Sequence, residues 1–137
     1  MQVRFEDFSV ECQKAMEGAA IAWLYEAAEE LEAQTKKNTR EDTGQTKNSW
    51  SHVVDEKEHE AVVGNPLDNA IWEEFGTGEF ALHGDGRKGG WFYVDDEGKG
   101  HFTYGKKPNR AFQTAYNVLK NPLIRRAQEI FKERLGK

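Results

Sequence analysis

Apolar residues recur every three or four positions over the first third of the chain. Between Val10 and Lys37 this spacing predicts an amphipathic helix, and further alanines widen its apolar stripe. Ser9 is a residue type that caps helix N-termini, so it is the expected N-cap. The alanines predict close approach of a second element, because small side chains let two backbones come near. The stripe consists of Met16, Ala20, Trp23, Ala27 and Leu31.

Two later regions each predict a pair of strands, and apolar and polar residues alternate in the first of these strands. After a polar loop over 38–45, a strand is predicted over 48–54, with Trp50, His52 and Val54 on one side. A charged turn over 55–59 leads to its partner strand over 60–64, so the pair predicts a β-hairpin. Strands over 91–94 and 100–104, joined by an acidic turn, predict a second hairpin.

Helical spacing returns between and after the hairpins. A short helix is predicted over 67–75, and six glycines between 76 and 90 predict a long flexible loop. A helix from about 110 to 120 turns Phe112, Ala115, Val118 and Leu119 inward. Asn121 and Pro122 are typical of the cap and first residue of one more helix. The apolar stripe of that last helix consists of Ile124, Ala127, Phe131 and Leu135.

These elements predict an α+β fold. We expect a long N-terminal helix and C-terminal helices packed on a small antiparallel sheet made of the two hairpins. The length of 137 residues is typical of one domain, so we expect a single domain over 1–137 with a flexible loop at about 76–90.

Charge and composition narrow the class of protein. The net charge of −5 divides into −13 over residues 1–97 and +8 over residues 98–137. The two halves either neutralise each other within the fold or complement a neighbouring molecule.

No apolar run approaches the roughly 18 residues that a membrane helix needs. Residues 1–8 carry Glu6 and Asp7, so a signal peptide is not expected. The single cysteine, Cys12, excludes an internal disulfide and predicts a cytoplasmic protein or a particle assembled there.

The residue pattern predicts no catalytic, cofactor or metal site. Residues 84–89 match GxGxxG formally, but an aromatic strand follows them where a dinucleotide-binding motif needs a helix. The four histidines form no local metal-ligand pattern. Glu73 and Glu74 are neighbours on a predicted helix, so their carboxylates point in different directions.

Two other functions stay open at this point. A toxin-like hydrolase would use the polar residues in and around the glycine-rich loop, namely His83, Asp85, His101 and Glu74. A nucleic-acid-binding module would use the basic C-terminal region, with Phe92, Tyr93, Phe102 and Tyr104 stacking on bases. Its cations would be Lys99, Lys106, Lys107, Arg110, Lys120, Arg125, Arg126, Lys132 and Arg134.

Three spaced motifs are the most informative part of the sequence. Thr43-Gly44 precedes Ser49, a Glu74-Phe75-Gly76-Thr77-Gly78 block ends a segment that begins at Gly64, and Pro108 precedes Phe112. In this order they resemble the small tail-component proteins of long-tailed bacteriophages, known as minor tail, tail-completion or head–tail joining proteins. Thr46 and Asn69 depart from the family pattern, which has a leucine-like residue and a tyrosine there.

The resemblance implies a structural role and no catalytic activity. Such proteins form a ring, commonly a hexamer, at the neck or the head-proximal end of the tail. The implied partners are further copies of the chain and neighbouring neck, connector and tail-tube proteins. DNA would pass through the lumen without specific binding, and no membrane or cofactor would be involved. The implied location is the virion, with the host cytoplasm during assembly.

Eight residues are the candidates for contacts with a neighbouring copy or partner. Trp72, Glu74 and Phe75 belong to the segment that carries the resemblance. The other five lie in or beside the glycine-rich loop: Phe80, Leu82, Arg87, Lys88 and Trp91. Packing in the core is the alternative role for Trp72, Phe75 and Trp91.

Overall fold

The computed structural model describes residues 1–40 and 44–136. The predicted α+β class is confirmed. The helices are α1 (Ser9–Asn38), α2 (Gln45–Asn48), α3 (Asp68–Phe75) and α4 (Ala111–Leu135), with a 3₁₀ turn at Gly78–Phe80. The strands are β1 (Ser51–Asp55), β2 (Glu60–Gly64), β3 (Trp91–Val94) and β4 (Gly100–Thr103). Residues 41–43 of the predicted polar loop, with Thr43 of the first motif, lie outside the described residues.

Helices α1 and α4 form an antiparallel pair. The Trp23 Nε1–H donates to the Leu123 carbonyl oxygen at 2.7 Å, and the Asn38 amide donates to the Ala111 carbonyl oxygen at 3.2 Å. Five alanines on the two helices are buried, which is the close approach that the alanine-rich stripe predicted. These alanines are Ala19, Ala27, Ala28, Ala111 and Ala115.

The prediction of separate C-terminal helices is wrong, because α4 runs without a break through Pro122. A proline inside a helix removes one backbone hydrogen bond. Packing against α1 offsets that loss, since α1 contacts α4 before and after the proline. The continuous helix turns Leu123 and Ile130 inward, whereas the predicted Val118, Ile124 and Leu135 are exposed.

The start of α1 differs from prediction, whereas α4 begins close to the predicted position of about 110. In α1, Phe8 is the N-cap, Met16 is exposed, and Ser9 donates its backbone N–H to Asp7 Oδ1 at 2.9 Å. This hydrogen bond lowers the pKa of Asp7. In α4, Arg110 precedes the helix in a left-handed conformation, with φ of 55°.

The first hairpin packs on the C-terminal part of α1. Strand β1 pairs with β2 so that Val53 faces Val62 on the outer side, while Trp50 is buried. The Trp50 Nε1–H donates to Thr39 Oγ1 at 3.0 Å, and the Trp50 ring stacks 6.1 Å from that of Phe112. The prediction that Trp50, His52 and Val54 share one side is confirmed, since His52 and Val54 are the less exposed residues of β1.

The two hairpins do not share a sheet. Strands β1 and β2 form one two-stranded sheet, and β3 and β4 form another, which corrects the expected single sheet of two hairpins. In the second, Phe92 pairs with Phe102 and Tyr93 pairs with His101. A two-stranded ribbon is marginally stable alone, so this hairpin depends on the chain that flanks it.

Backbone hydrogen bonds hold the first part of the glycine-rich segment. The Thr77 N–H donates to the Lys106 carbonyl, the Glu79 N–H to the Tyr104 carbonyl, and the Leu82 N–H to the Phe75 carbonyl, each at 2.8–2.9 Å. The flexibility of 76–90 and the single-domain organisation remain predictions. Among the described residues, no helix combines the length and apolar character needed to cross a bilayer.

Candidate functional site

Two adjacent glutamates fix helix α3 to the rest of the chain. Glu73 accepts hydrogen bonds from Arg40 Nε at 3.1 Å and from the Lys106 ammonium group. Glu74 accepts the backbone N–H groups of the second and third residues of α4, Phe112 at 3.0 Å and Gln113 at 2.9 Å. The carboxylates thus point to different partners, as their adjacent positions on a helix predicted. Glu74, an expected interface residue, is a helix cap in this structure.

With its glutamates turned toward the protein, α3 buries Ala70 and exposes its larger apolar residues. Trp72 is 52% exposed and Ile71 is more exposed still. The Phe75 ring contacts the Arg110 guanidinium, 5.2 Å from its centroid, and the His83 ring, whose centroid is 5.5 Å away. Trp72 and Phe75 therefore lie at the surface, not in the core of the described chain.

The predicted residues Trp72, Phe75, Arg87 and Trp91 meet around an open groove. Its volume is about 430 Å³, and its floor is the turn at Gly76–Gly78. A second groove of about 670 Å³ shares Trp72 and Trp91 and continues to Tyr93. Trp91 is half-buried between the two, with the Arg87 guanidinium 5.6 Å from its ring.

The remaining predicted residues lie at the margin of this region. Phe80 is exposed beneath the Lys107 ammonium group, which lies 5.7 Å from the ring centroid. Leu82 and Lys88 are exposed in the segment between the 3₁₀ turn and β3. Neither of them lines either groove.

The second hairpin carries an apolar face that the candidate list missed. Phe92 and Val94 on β3 face the same way as Phe102 on β4 and Tyr104 just beyond it, and all four are more than half exposed. Phe102 contacts Tyr104 edge to face at 5.3 Å. We call these four residues the aromatic face. The apolar run at residues 91–94 was visible in the sequence, but such a run does not tell which side of the strand is covered.

The opposite side of this hairpin is held by polar contacts. The Tyr93 and His101 rings stack at 5.2 Å, and His101 Nε2 lies 2.7 Å from Asp95 Oδ2. The bond to His101, followed by the N–H group of Lys99, lowers the pKa of Asp95. Asp95 thereby fixes the turn between β3 and β4.

The residues of the hydrolase hypothesis contact separate partners in the structure. The His83 ring contacts the Phe75 ring at a tilted angle, His101 pairs with Asp95, and Glu74 caps α4. Within 1–40 and 44–136, no three or more histidine, cysteine, aspartate or glutamate side chains come together in a way that could hold a metal ion.

Several of the cations in the nucleic-acid hypothesis form ion pairs or ring contacts within the chain. Lys106 pairs with Glu73, Arg110 stacks on Phe75, and Arg126 binds both carboxylate oxygens of Glu26 at 2.8 and 3.1 Å. Arg126 lowers the pKa of Glu26, whose carboxylate raises that of Arg126 in turn. Part of the charge asymmetry of the sequence is thus neutralised inside the fold.

No protein-family model, curated protein or solved structure matches this chain.

Proposed function

We propose that this protein is a structural tail-completion or head–tail joining protein that assembles as a ring at the neck or the head-proximal end of a phage tail. The sequence motifs supply the family resemblance. The observation that carries the proposal is the placement of apolar side chains. Within the described chain, six of the nine buried apolar residues are alanines, while large aromatic side chains of α3, the 3₁₀ turn and the second hairpin are exposed, namely Trp72, Phe75, Phe80, Phe92, Tyr93 and Phe102.

The surface area supports an assembling protein. The chain exposes 10,070 Å². A compact monomer of the same mass, 15.7 kDa, exposes about 7,300 Å². The difference of about 2,800 Å² exceeds the roughly 1,600 Å² that a standard protein–protein interface buries in total. Each copy thus has enough spare surface for contacts with two neighbours.

The Glu74–Gly78 block holds the exposed apolar surface of α3 and the second hairpin in place. Glu74 caps α4, Phe75 carries the Arg110 guanidinium, and Gly76 turns the chain at φ of 77° against Pro108. Gly78, at φ of 60°, packs against the Tyr104 carbonyl and the Trp91 ring. The block therefore fixes α3 and the second hairpin relative to α4, which is what a surface that docks on a partner requires.

Charge is compatible with a ring around DNA. The net charge of −13 over residues 1–97 disfavours binding to phosphates and would let DNA slide through a lumen. The nucleic-acid alternative has less support. Phe92, Phe102 and Tyr104 are free to stack, but Asp95, Asp96 and Glu97 form the turn of the same hairpin and repel a phosphate backbone.

Co-sedimentation with purified phage tails tests this proposal. Trp72→Asp places a charge in the exposed groove, and Val62→Asp is the matched control, because Val62 is 57% exposed on the outer side of the other hairpin. We expect the unchanged protein and the Val62 variant to sediment with tails from the encoding phage, and the Trp72 variant to stay in solution. Circular dichroism checks that both variants fold.

Two results would contradict the proposal. The first is a protein that ignores tails and neck complexes at every concentration. The second is equal tail binding by the Trp72 variant and the control. Tail co-sedimentation of a Phe80→Asp variant tests a separate part of the surface, since Phe80 is exposed outside both grooves.

A further inference from the structure

We propose that the outer face of the first hairpin in one copy docks, through opposite charge, on the outer face of α4 in the next copy. This inference rests on the proposed function, because it specifies how copies in a ring contact each other. The acidic face consists of Val53, Asp55, Glu60 and Val62 on the strands, with Glu56 and Glu58 in the turn. The basic face consists of Val118, Asn121, Arg125, Gln128 and Lys132 on α4.

The acidic face lies on the solvent side of the first hairpin. Its strand residues alternate with residues that turn toward α1, such as His52, whose Nδ1 lies 3.3 Å from Glu32 Oε2. Asp55 and Glu60 are direct partners across the two strands. Like charges that face each other in this way destabilise a strand pair. A cation supplied from outside the hairpin would relieve this repulsion.

The charge of the acidic face is not neutralised within the copy. Residues 51–64 contain four carboxylates and one lysine, which gives them a net charge of −3. In the part of the chain that the structure describes, none of these four carboxylates forms an ion pair with a lysine or arginine. Asp55 instead accepts the backbone N–H groups of Lys57 and Glu58, each at 3.1 Å. The face is therefore open to a cationic partner.

Helix α4 presents the opposite charge on the side that points away from α1. Arg125 follows the buried Leu123 by two residues, and Lys132 follows the buried Ile130 by two residues. Two residues turn a helix by about 200°, so each cation lies nearly opposite a side chain that packs inward. Both cations are exposed, and within 1–40 and 44–136 neither forms an ion pair. The other members of the basic face are uncharged.

The two faces of one copy point away from the element that they share. The first hairpin and α4 both pack on α1, and each face lies on the far side of its own element. Glu129, the carboxylate of α4 nearest to the basic face, pairs with Arg126 at 3.2 Å, and Arg126 also binds Glu26. A second copy supplies an acidic face that is free to contact Arg125 and Lys132.

The contact joins different surfaces of two copies, so it is a head-to-tail contact. Two acidic faces repel each other, and so do two basic faces, which disfavours a two-fold dimer through either face. A head-to-tail contact repeats from copy to copy and closes into a ring when the rotation between copies allows it. Every copy then contributes one face of each kind.

Opposite charges at one exposed position test the sign of the contact. Val62→Lys lowers the negative charge of the acidic face, and Val62→Asp extends it. In sedimentation velocity at low salt, we expect the unchanged protein and Val62→Asp to self-associate, and Val62→Lys to associate about tenfold more weakly than Val62→Asp. The difference should shrink in about 1 M salt, where the screening length falls to about 3 Å. Equal association of the two variants at low salt would overturn the proposal.

Charge exchange between two proteins tests the pairing of the faces. One protein carries Glu56→Lys with Glu60→Lys, and the other carries Arg125→Glu with Lys132→Glu. We expect each alone to lose association about tenfold or more, because its two faces now have the same sign. An equimolar mixture should regain association, since the new lysines of one protein meet the new glutamates of the other.

Matched controls change the same charge elsewhere. Asp96→Lys with Glu97→Lys is the control for the acidic face, since these acids are exposed in the turn of the other hairpin. Lys14→Glu with Lys99→Glu is the control for the basic face, since both lysines are exposed outside α4. We expect both controls to associate like the unchanged protein, and circular dichroism checks that every variant folds.

Three results would overturn the contact. The first is a mixture that associates no better than its two components. The second is a control that loses as much association as the variant it matches. The third is an unchanged protein that stays monomeric at low salt at every concentration.

The outcomes separate this inference from the proposed function. Rescue by the mixture, in a protein that ignores tails and neck complexes, refutes the tail role and leaves the contact between copies standing. Rings on tails that form equally well with either charge-reversed protein refute the contact and leave the tail role standing.

Discussion

Single residues determine how α3 and the second hairpin are positioned on the rest of the chain. Glu74 was expected at an interface, and the structure uses it as the cap of α4. The sequence could not reveal this, because the cap joins residues 38 and 39 positions apart. Gly76 and Gly78 were visible as glycines, but the atoms they pack against come from distant segments. Only the folded chain shows which glycines leave no room for a side chain.

At this scale, replacing Gly78 separates steric crowding from backbone strain. In Gly78→Ala, the added Cβ would meet the Tyr104 carbonyl and the Gly105 Cα at a φ of 60°. Gly84→Ala is the control, because Gly84 has a φ of 70° and open space around it. We expect the control to lose about 1 kcal/mol of unfolding free energy and Gly78→Ala to lose at least about 2 kcal/mol more. Equal losses in urea denaturation would contradict the packing described for Gly78.

Removing the Glu74 carboxylate tests the cap. Glu74→Ala leaves the N–H groups of Phe112 and Gln113 without their acceptor, so we expect a loss of about 1–2 kcal/mol in urea denaturation. Glu74→Gln should recover part of it, since an amide oxygen still accepts. Glu29→Ala, at an exposed position of α1, is the control. A Glu74→Ala protein as stable as this control would refute the cap.

Elements whose signal is local were predictable from the sequence, and those that depend on distant packing were not. The first hairpin follows from alternation over 48–54, the second follows from the apolar run over 91–94 and the acidic turn after it, and strands β2 and β3 have the expected bounds. The continuity of α4 through Pro122 depends on α1, which lies about 100 residues earlier in the chain. The sequence around Pro122 favours a break, and the antiparallel partner overrides it. Likewise, the two separate sheets follow from packing that the strand patterns do not encode.

The pair of long helices has a pH-dependent contact. Arg126 lowers the pKa of Glu26 from its ordinary 4.5, so ionised Glu26 favours the folded state. This contribution is present above pH 4.5 and is lost as the pH falls through the lowered pKa. We expect Glu26→Gln to be less stable than the unchanged protein at pH 7, with the difference vanishing at lower pH. A difference that stays constant down to pH 2 in urea denaturation would contradict the assigned contact.

At the scale of the whole molecule, a small alanine core is combined with large exposed apolar residues. The α+β class followed from the order of predicted elements, and the candidate list included Trp72, Phe75 and Trp91, which meet around one groove. The aromatic face was not on that list, because burial on either side of a short strand depends on what covers it. The charge asymmetry was evident in the sequence, but contacts such as Glu26 with Arg126 show that part of it is internal.

The central claim is that the protein works by assembling on other copies and on neighbouring phage parts. Electron microscopy of purified tails that lack this protein, imaged before and after its addition, measures this most directly. The account predicts a new ring of density at the head-proximal end of the tail. Tails that look unchanged after addition of the folded protein at saturating concentration would contradict it.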